Sequence, residues 1–297
     1  MAKTRQSAGP KLACEITPER VIVARVTDDG VGLDSYTARS LAAGVVQPRM
    51  AEENIGNAEQ LKQAVIDALN TVGAKTHDVI AILPDASVRV ALLDFDTLPD
   101  KKLEADGVIR FRLKKSLPFD VDQAALSYDV LRKDGKVQVI AAIVLSSVLA
   151  EYESLFRDLG YTPGVVLPST LASLGNVSGS DPVLVIKADA SSTTLAIVAN
   201  NELMLFRTLE NQGGIVPSAE QIAPDVHASL VFFQDTYNMR VDRILVGGLI
   251  EADTAGPTLE SQTGVRVQSL VPAHHLGSTR PNFPVSSLAG VVGALLG

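Results

Sequence analysis

With one cysteine, no tryptophan and an aromatic share of 4%, this 297-residue chain has few of the residues from which disulfide scaffolds and aromatic stacking platforms are built. The lone Cys14 excludes an internal disulfide and fits a reducing compartment. The opening MAKTRQSAGPK lacks the apolar core of a secretion signal. No segment reaches the ~20 consecutive apolar residues of a membrane span. The nearest, VSSLAGVVGALLG at 285–297, is too short, and it contains Gly290 and Gly293, which let a helix approach a neighbour closely. Arg280 is the last charge before it, whereas an interfacial helix wants a charged face, so a buried terminal helix is the expectation rather than a lipid anchor. Lys and Arg number 26 against 34 Asp and Glu, a net charge of −8 with no basic stripe. That balance speaks against nucleic acid and against direct attraction to anionic lipid. His274 and His275 have no Cys or third His nearby, and His77 and His227 are isolated, so no metal-ligand set is assembled. Nucleophile elbow, P-loop and Rossmann fingerprints are absent.

What is present is a chain 46% apolar, long enough for one large or two medium domains. Short β-rich pieces run from Lys11 to Thr17, Val21 to Val26 and, more weakly, Ser35 to Leu41. Asn57 then caps a helical stripe of Leu61, Ala64, Val65, Ala68, Leu69 and Val72, ended by Gly73, and Val79–Leu83 reads as a strand buried on both faces. From Val88 the texture changes. A strand, a helix over Leu103 to Leu113 carrying Arg110 and Arg112 and followed by Lys114 and Lys115, the break Leu117-Pro118-Phe119-Asp120, and a hairpin around Lys133-Asp134-Gly135-Lys136 form an inserted β-α-β-β module. The parent pattern resumes with a helix from Ser147 to Leu159, a strand at Gly164 to Leu167 and a short helix to Asn176. Ser178-Gly179-Ser180-Asp181-Pro182 marks a boundary. Beyond it come strands at Val183 to Ala188, Thr193 to Ala199 and Leu203 to Leu209, a helix from about Ser218 to Tyr237, strand Arg243 to Val246, a helix near Thr258, strand Val265 to Leu270 and the terminal helix. A βββαβαβα unit therefore occurs twice, an α/β duplication of the actin-like (ribonuclease H-like) order, with domains at 11–178 and 179–297 and a small α+β subdomain at 86–146 inserted in the first.

Two turns and a glycine pair are the places for chemistry. Small residues in Ala188-Asp189-Ala190-Ser191-Ser192-Thr193-Thr194 let backbone N–H groups and hydroxyls approach a phosphate, although the same residues fill plain hairpins. Cys14-Glu15-Ile16-Thr17-Pro18 is the matching turn of the first copy, without a glycine. Gly247-Gly248 ends an apolar strand and suits either a ribose against bare backbone or a turn needing positive φ.

The runs LVIKADASSTTLAIVANNELMLFRTL, VGG with TGVRVQSLVP, DASVRVALLDFDTLP with RFRLKKSLPFDVDQAALSYDVL, and FPVSSLAGVVGALL together resemble the PilM family, actin-like cytoplasmic proteins of type IV pilus assembly, over nearly the whole chain from Lys11. The inserted module is the most specific part. The resemblance implies two actin-like domains, ATP and Mg²⁺ in the cleft between them, and a partner peptide, the cytoplasmic tail of the membrane protein PilN, in a groove of the first domain near the insert. It assigns nucleotide contacts to Glu15, Thr17, Asp189, Ser191, Ser192, Thr193, Gly247 and Gly248, and we place the partner tail near Arg112, Leu117, Pro118 and Phe119.

Departures weaken the nucleotide expectation. Glu15-Ile16-Thr17 stands where the family usually has Asp-Ile-Gly, Lys187 stands where it has a magnesium-organising carboxylate, and the stretch from Arg207 to Arg243 is short, so the second domain is expected to be trimmed. A degenerate, non-catalytic adaptor at the inner membrane through its partner, alongside other pilus assembly proteins, is thus the leading expectation. An active actin-like ATPase or small-molecule kinase is the alternative, with Glu15 and Asp189 as its only carboxylates. The cytoplasmic part of a GspL-type secretion protein would require a following membrane helix, which this sequence does not carry.

Overall fold

The structure, a computed structural model, describes residues 10–133, 135–276 and 281–297, with residues 132 and 133 described by their backbone alone. Asp134 of the expected turn, Arg280 and the first nine residues lie outside the described residues.

The first repeat holds strands β1 (Leu12–Ile16), β2 (Arg20–Val26) and β3 (Leu33–Ser40), helix α1 (Ala58–Val72) and strand β4 (Asp78–Leu83). The inserted module follows as β5 (Arg89–Phe95), α2 (Lys102–Leu113), β6 (Ala124–Lys133) and β7 (Lys136–Leu145). Helix α3 (Ser146–Asp158), strand β8 (Thr162–Pro168) and the short helix α4 (Ser169–Ser173) complete the repeat. The second repeat consists of β9 (Val183–Ala188), β10 (Ser192–Ala199), β11 (Glu202–Glu210), α5 (Ala219–Tyr237), β12 (Arg243–Gly248), α6 (Ala252–Thr263), β13 (Arg266–Ser269) and α7 (Ala289–Leu296). The terminal segment is a 3-10 turn over Val285–Leu288 leading into α7, rather than one helix from 285.

The duplication is visible in the sheets. One has the order β3-β2-β1-β4-β8 and the other β11-β10-β9-β12-β13, so corresponding strands occupy corresponding places. In each, the central strand pairs antiparallel with the second and parallel with the fourth. Local chemistry supports the elements. The Asn57 side chain accepts the Gln60 N–H at 3.0 Å, and α1 buries Leu61, Val65, Ala68, Leu69 and Val72 as its period requires. Asn200 and Asn201, with φ of 53° and 61°, make the tight β10–β11 hairpin that asparagine tolerates.

Strand β4 is buried from Val79 to Leu83, and its alternating side chains serve two cores. Val79, Ala81 and Leu83 pack with α1 and α3 residues such as Leu69 and Phe156, while Ile80 and Ile82 point toward the second repeat. There they join Val183, Val185 and Leu245 with Leu288, Ala289, Val291 and Val292, one apolar layer shared by both repeats. Helix α7 therefore belongs by sequence to the second repeat but packs against α4, β1 and β2 of the first. The inserted sheet, β5-β7-β6, has a core of its own under α2, built on Ile109, Leu113, Val139, Ala141 and Ile143.

Close approach at α7 needs glycine. A Cβ on Gly290 would sit 2.3 Å from Glu15 Oε2. Gly290→Ala is accordingly expected to cost on the order of 1–3 kcal/mol through forced repacking, seen as a lower midpoint in urea. Unchanged stability would show that α7 does not press on β1.

Candidate functional site

The two phosphate-type turns meet at the seam between the repeats, and the side chains there are buried polar groups that satisfy one another. Glu15, the fourth residue of β1, projects from an otherwise apolar strand. Lys187 does the same from β9, and its Nζ lies 2.6 Å from Glu15 Oε1. The ammonium also donates to Ser169 Oγ at the start of α4, and Ser169 in turn donates to Glu15 Oε1 at 2.5 Å. Glu15 Oε2, facing Gly290, has no hydrogen-bond partner among the described residues. Both charges are essentially removed from water, with side-chain exposures of 0% for Glu15 and 4% for Lys187. Burial by itself would push the Lys187 ammonium down, but Glu15, Asp85 and Asp189 outweigh it and hold the group above its ordinary value.

A second carboxylate stands beside this pair. Asp85 follows β4 and receives the Thr170 N–H at 2.9 Å, the Thr170 hydroxyl at 2.5 Å and, from the second repeat, the Thr194 hydroxyl at 3.1 Å. Burial pushes its carboxyl up, against the opposing pull of Lys187 and these donors. A third crossing is made by Glu19, which accepts the Ala190 N–H with one oxygen and the Thr17 hydroxyl with the other at 2.8 Å. Asp189 turns back on its own hairpin and accepts from Ser191 N, Ser191 Oγ and Ser192 N at 2.7, 2.5 and 2.8 Å. Burial raises its carboxyl to about 6, helped by the nearby Glu19 charge and opposed by those bonds. Cys14, next to Glu15, is fully buried and its thiol is pushed far up, first by burial and then by Glu15, which leaves it unreactive.

These groups leave little space. The cavity lined by Glu15, Thr17, Glu19, Lys187, Asp189 and Gly248 measures about 10 Å³, room for roughly one water. Of the residues picked from the sequence for nucleotide, Glu15, Thr17, Asp189 and Gly248 do converge here, while Ser191 and Ser192 line a separate cleft of about 860 Å³. That cleft runs between the loop from Leu41 to Met50 and the Ala190–Ser192 and Asn211–Gly214 turns, with Arg49 and Arg89 on its walls. Thr193 Oγ1 bonds Asn211 Oδ1 at 2.9 Å and borders another, smaller recess. Gly247 lies under Leu270 and Ala289. Gly248 has φ of +75°, and a Cβ there would meet Ala188 O at 2.2 Å, so the pair makes a turn and a close strand approach.

Two features of the site were missed by the sequence reading. Asp85 and Ser169-Thr170 each follow a strand that ends in proline, at Leu83-Pro84 and Leu167-Pro168, and polar residues directly after such strand ends are the signal that was available. The other is Asn54, wholly buried, whose Oδ1 accepts from Ser87 Oγ at 2.5 Å and Tyr152 OH at 3.2 Å while Glu151 holds the Asn54 and Ile55 N–H groups. It fixes the loop along the large cleft.

The residues expected around a partner tail are divided by strand alternation. In β6, Ala124, Leu126 and Tyr128 face α2, and in β7 Val137, Val139, Ala141 and Ile143 do so. Leu117 and Phe119 pack into that same core, and Pro118 is exposed beside them. A groove of about 220 Å³ between the insert and the first repeat lies on the opposite face of the sheet, lined by Ala125, Ser127, Ala142 and Val144 with Leu149, Val166 and Leu167. Leu117, Pro118 and Phe119, in the loop that follows α2, do not line that groove; Leu117 and Phe119 pack on the α2 side of the inserted sheet. Arg112 instead borders a third groove, about 620 Å³, between the insert and β11 and α5.

This is the actin-like fold: two like-ordered sheets, a shared layer crossed by α4 and α7, and paired turns facing each other at the seam. Among solved structures, the chain is similar to one from the PilM–PilN type IV pilus biogenesis complex, with a TM-score of 0.80 and 17% identity over 97% of this chain and 98% of that one. It is also similar to the cytoplasmic domain of EpsL, an inner membrane component of the type II secretion system of Vibrio cholerae, with a TM-score of 0.55 and 10% identity over 96% and 94%. A Bacteroides thetaiotaomicron protein of actin-like ATPase fold and unknown function gives a TM-score of 0.53 and 9% identity over 90% and 93%. No protein-family model and no curated protein matches the chain.

The buried pair makes a stability prediction. Lys187→Met leaves Glu15 charged and uncompensated and is expected to cost ~3–5 kcal/mol in urea unfolding, with much of it recovered in Glu15→Met/Lys187→Met. A single-variant cost under about 1 kcal/mol would refute this.

The Asp189 carboxyl makes a second. A folded value of about 6, above the ordinary 3.8, means that the folded chain binds the proton more tightly between those values. Its contribution to stability is fully present below the unfolded value and is lost as pH rises through about 6. Wild type minus Asp189→Asn stability should therefore shift in favour of wild type as pH falls from 7.5 toward 4.5, by up to roughly 2 kcal/mol. A difference that is flat with pH, or that moves the other way, would contradict the assignment.

Proposed function

We infer that the chain is a PilM-like scaffold of a type IV pilus or related secretion machine, which binds the cytoplasmic tail of a PilN-like inner-membrane protein and does so without nucleotide. The reading is carried by the Lys187–Glu15 pair at the place where the fold would hold phosphate. The donor chemistry there does not suit Mg-ATP. An ammonium occupies the position of a metal-organising carboxylate, Glu15 is committed to it, Asp189 is committed to its own turn, and about 10 Å³ is far too little for a phosphate chain. An ATPase or kinase needs a carboxylate free to hold metal or take a proton.

Partner binding is assigned to the groove between the first repeat and the insert. Its walls, including Val88, Ala125, Val144, Leu149 and Val166, are mainly apolar, and Glu153 stands at its edge. It lies against β8, an edge strand of its sheet, and against β6, an edge strand of the inserted one. An extended apolar tail fits such a place through backbone pairing and alternate side-chain pockets. Whole-chain likeness to a chain of the PilM–PilN complex supports the class of partner. Among the described residues no helix is long and apolar enough to cross a membrane, so the reading places the protein at the inner membrane through that partner.

Two titrations on the full chain test this. A synthetic peptide of the PilN-like protein's cytoplasmic tail should bind the wild type, and Val166→Glu should weaken binding at least ~10-fold, about 1.4 kcal/mol, measured at a temperature where the variant is still fully folded. Mg-ATP should give no heat of binding at ~100 μM. Low-micromolar ATP affinity, or turnover lost in Asp189→Ala, would establish the enzyme reading instead; full tail affinity in Val166→Glu would move the partner site.

A further inference from the structure

Helix α2 carries the two most exposed large apolar side chains among the described residues, Leu103 at 84% and Phe111 at 81%, with Val108 between them. Residues 103, 107 and 111 recur every four positions, so they form one stripe, and Gly107 at its middle leaves a shallow place with nothing above it. Cations frame both ends. Lys101 and Lys102 stand at the start, and Arg112, Lys114 and Lys115 at the finish are all exposed. The acids of the helix are engaged, Glu104 with Lys101 at 3.0 Å and Asp106 with the Tyr128 hydroxyl.

Helix α5 has the converse character. It exposes Val231 and Phe232 at 44% and 53%, and across its nineteen residues it has three acids and neither lysine nor arginine. Asp235 lies one turn beyond Val231 and is exposed. Of the acids, Asp225 is held by Arg207 at 3.0 Å and Glu220 by Thr258 at 3.1 Å, so Asp235 is the carboxylate nearest the apolar pair.

Both helices border the 620 Å³ groove, Arg112 and Leu113 on one side and Ala228 and Phe232 on the other. The chain thus presents, on the two helices that flank this groove, an apolar stripe framed by positive charge and an apolar patch with the Asp235 carboxylate beside it. We propose that this face is a self-association surface on which α2 of one copy packs against α5 of a second, and the reverse, about a two-fold axis. The occupant is a second copy because one chain carries both complementary halves next to each other, and a two-fold arrangement satisfies both pairs at once. Exposed apolar side chains of this size on paired helices mark interaction surfaces, and the opposed charges fix which helix meets which. Two helix pairs make a small interface, so the association is weak and salt-sensitive. The face is separate from the tail groove, which lies on the other side of the inserted sheet.

Sedimentation velocity of the full chain from about 1 to about 200 μM tests the proposal. A concentration-dependent monomer–dimer equilibrium is expected, weakened in high salt. Leu103→Glu/Phe111→Glu should be monomeric throughout with an unchanged melting temperature, because both side chains are exposed. Lys114→Glu/Lys115→Glu should weaken the dimer by roughly tenfold, and adding Asp235→Lys should restore it, which a merely destabilised variant would not do. A monomer at every concentration overturns the proposal, as does a dimer indifferent to these changes. Co-sedimentation of the monomer with phosphatidylglycerol vesicles, lost in Leu103→Glu/Phe111→Glu, would overturn it in favour of a lipid surface.

Discussion

A buried ion pair holds the two halves of this molecule to each other. Lys187 and Glu15 belong to the central strands of their sheets, and each sits where its strand would otherwise be apolar. Two unpaired charges at such depth would cost several kcal/mol each, so neither strand is tolerable without the other. Ser169 completes the arrangement, and Asp85 adds a second carboxylate that partly answers the same ammonium. The seam between the repeats is consequently specified by chemistry that cannot slide. An apolar layer alone would accept several offsets; a lysine with one hydrogen-bonded partner set accepts one.

The same seam borders the large cleft, because Glu19 lines both that cleft and the small cavity beside the pair. The large opening between the Leu41–Met50 loop and the second-repeat turns is lined by Ser191 and Ser192 with Arg49 and Arg89 on its walls, while Lys187 and Glu15 line the small cavity and are paired with one another. Glu19 closes the remaining gap by accepting the Ala190 N–H, a backbone donor that an anion would otherwise use.

Much of the fold was legible because local signals agree with it. The Asn57 cap, the α1 stripe, the Asn200-Asn201 hairpin and the uninterrupted β4 each state their structure in a few residues. The duplicated order followed from them, and the two turns that carry Glu15 and Lys187 were visible as turns. What could not be read were contacts between residues far apart in the chain. Nothing near Lys187 announces that Ser169 accepts its hydrogen bond, nor does anything near Glu15 announce Gly290. The side of the insert on which Leu117 and Phe119 lie was hidden for a simpler reason. Leu117 and Phe119 look like an exposed apolar corner in sequence, and only the pairing of β6 and β7 shows that α2 covers one face of the sheet while the groove opens on the other. A parity of two cannot be assigned until the register is known.

Helix α7 has a kinetic consequence. Residues 289–296 pack against β1 and β2 and bring Gly290 onto Glu15, closing contacts across some 275 positions of chain. During synthesis the first repeat emerges long before those residues exist, with Ile22, Ile80 and Ile82 lacking the layer that will cover them. Folding of the N-terminal half is therefore not a finished event that the C-terminal half then repeats. The nascent chain must carry an incomplete core, and a buried carboxylate without its lysine, until both later elements arrive, a stage at which aggregation and chaperone capture compete with folding.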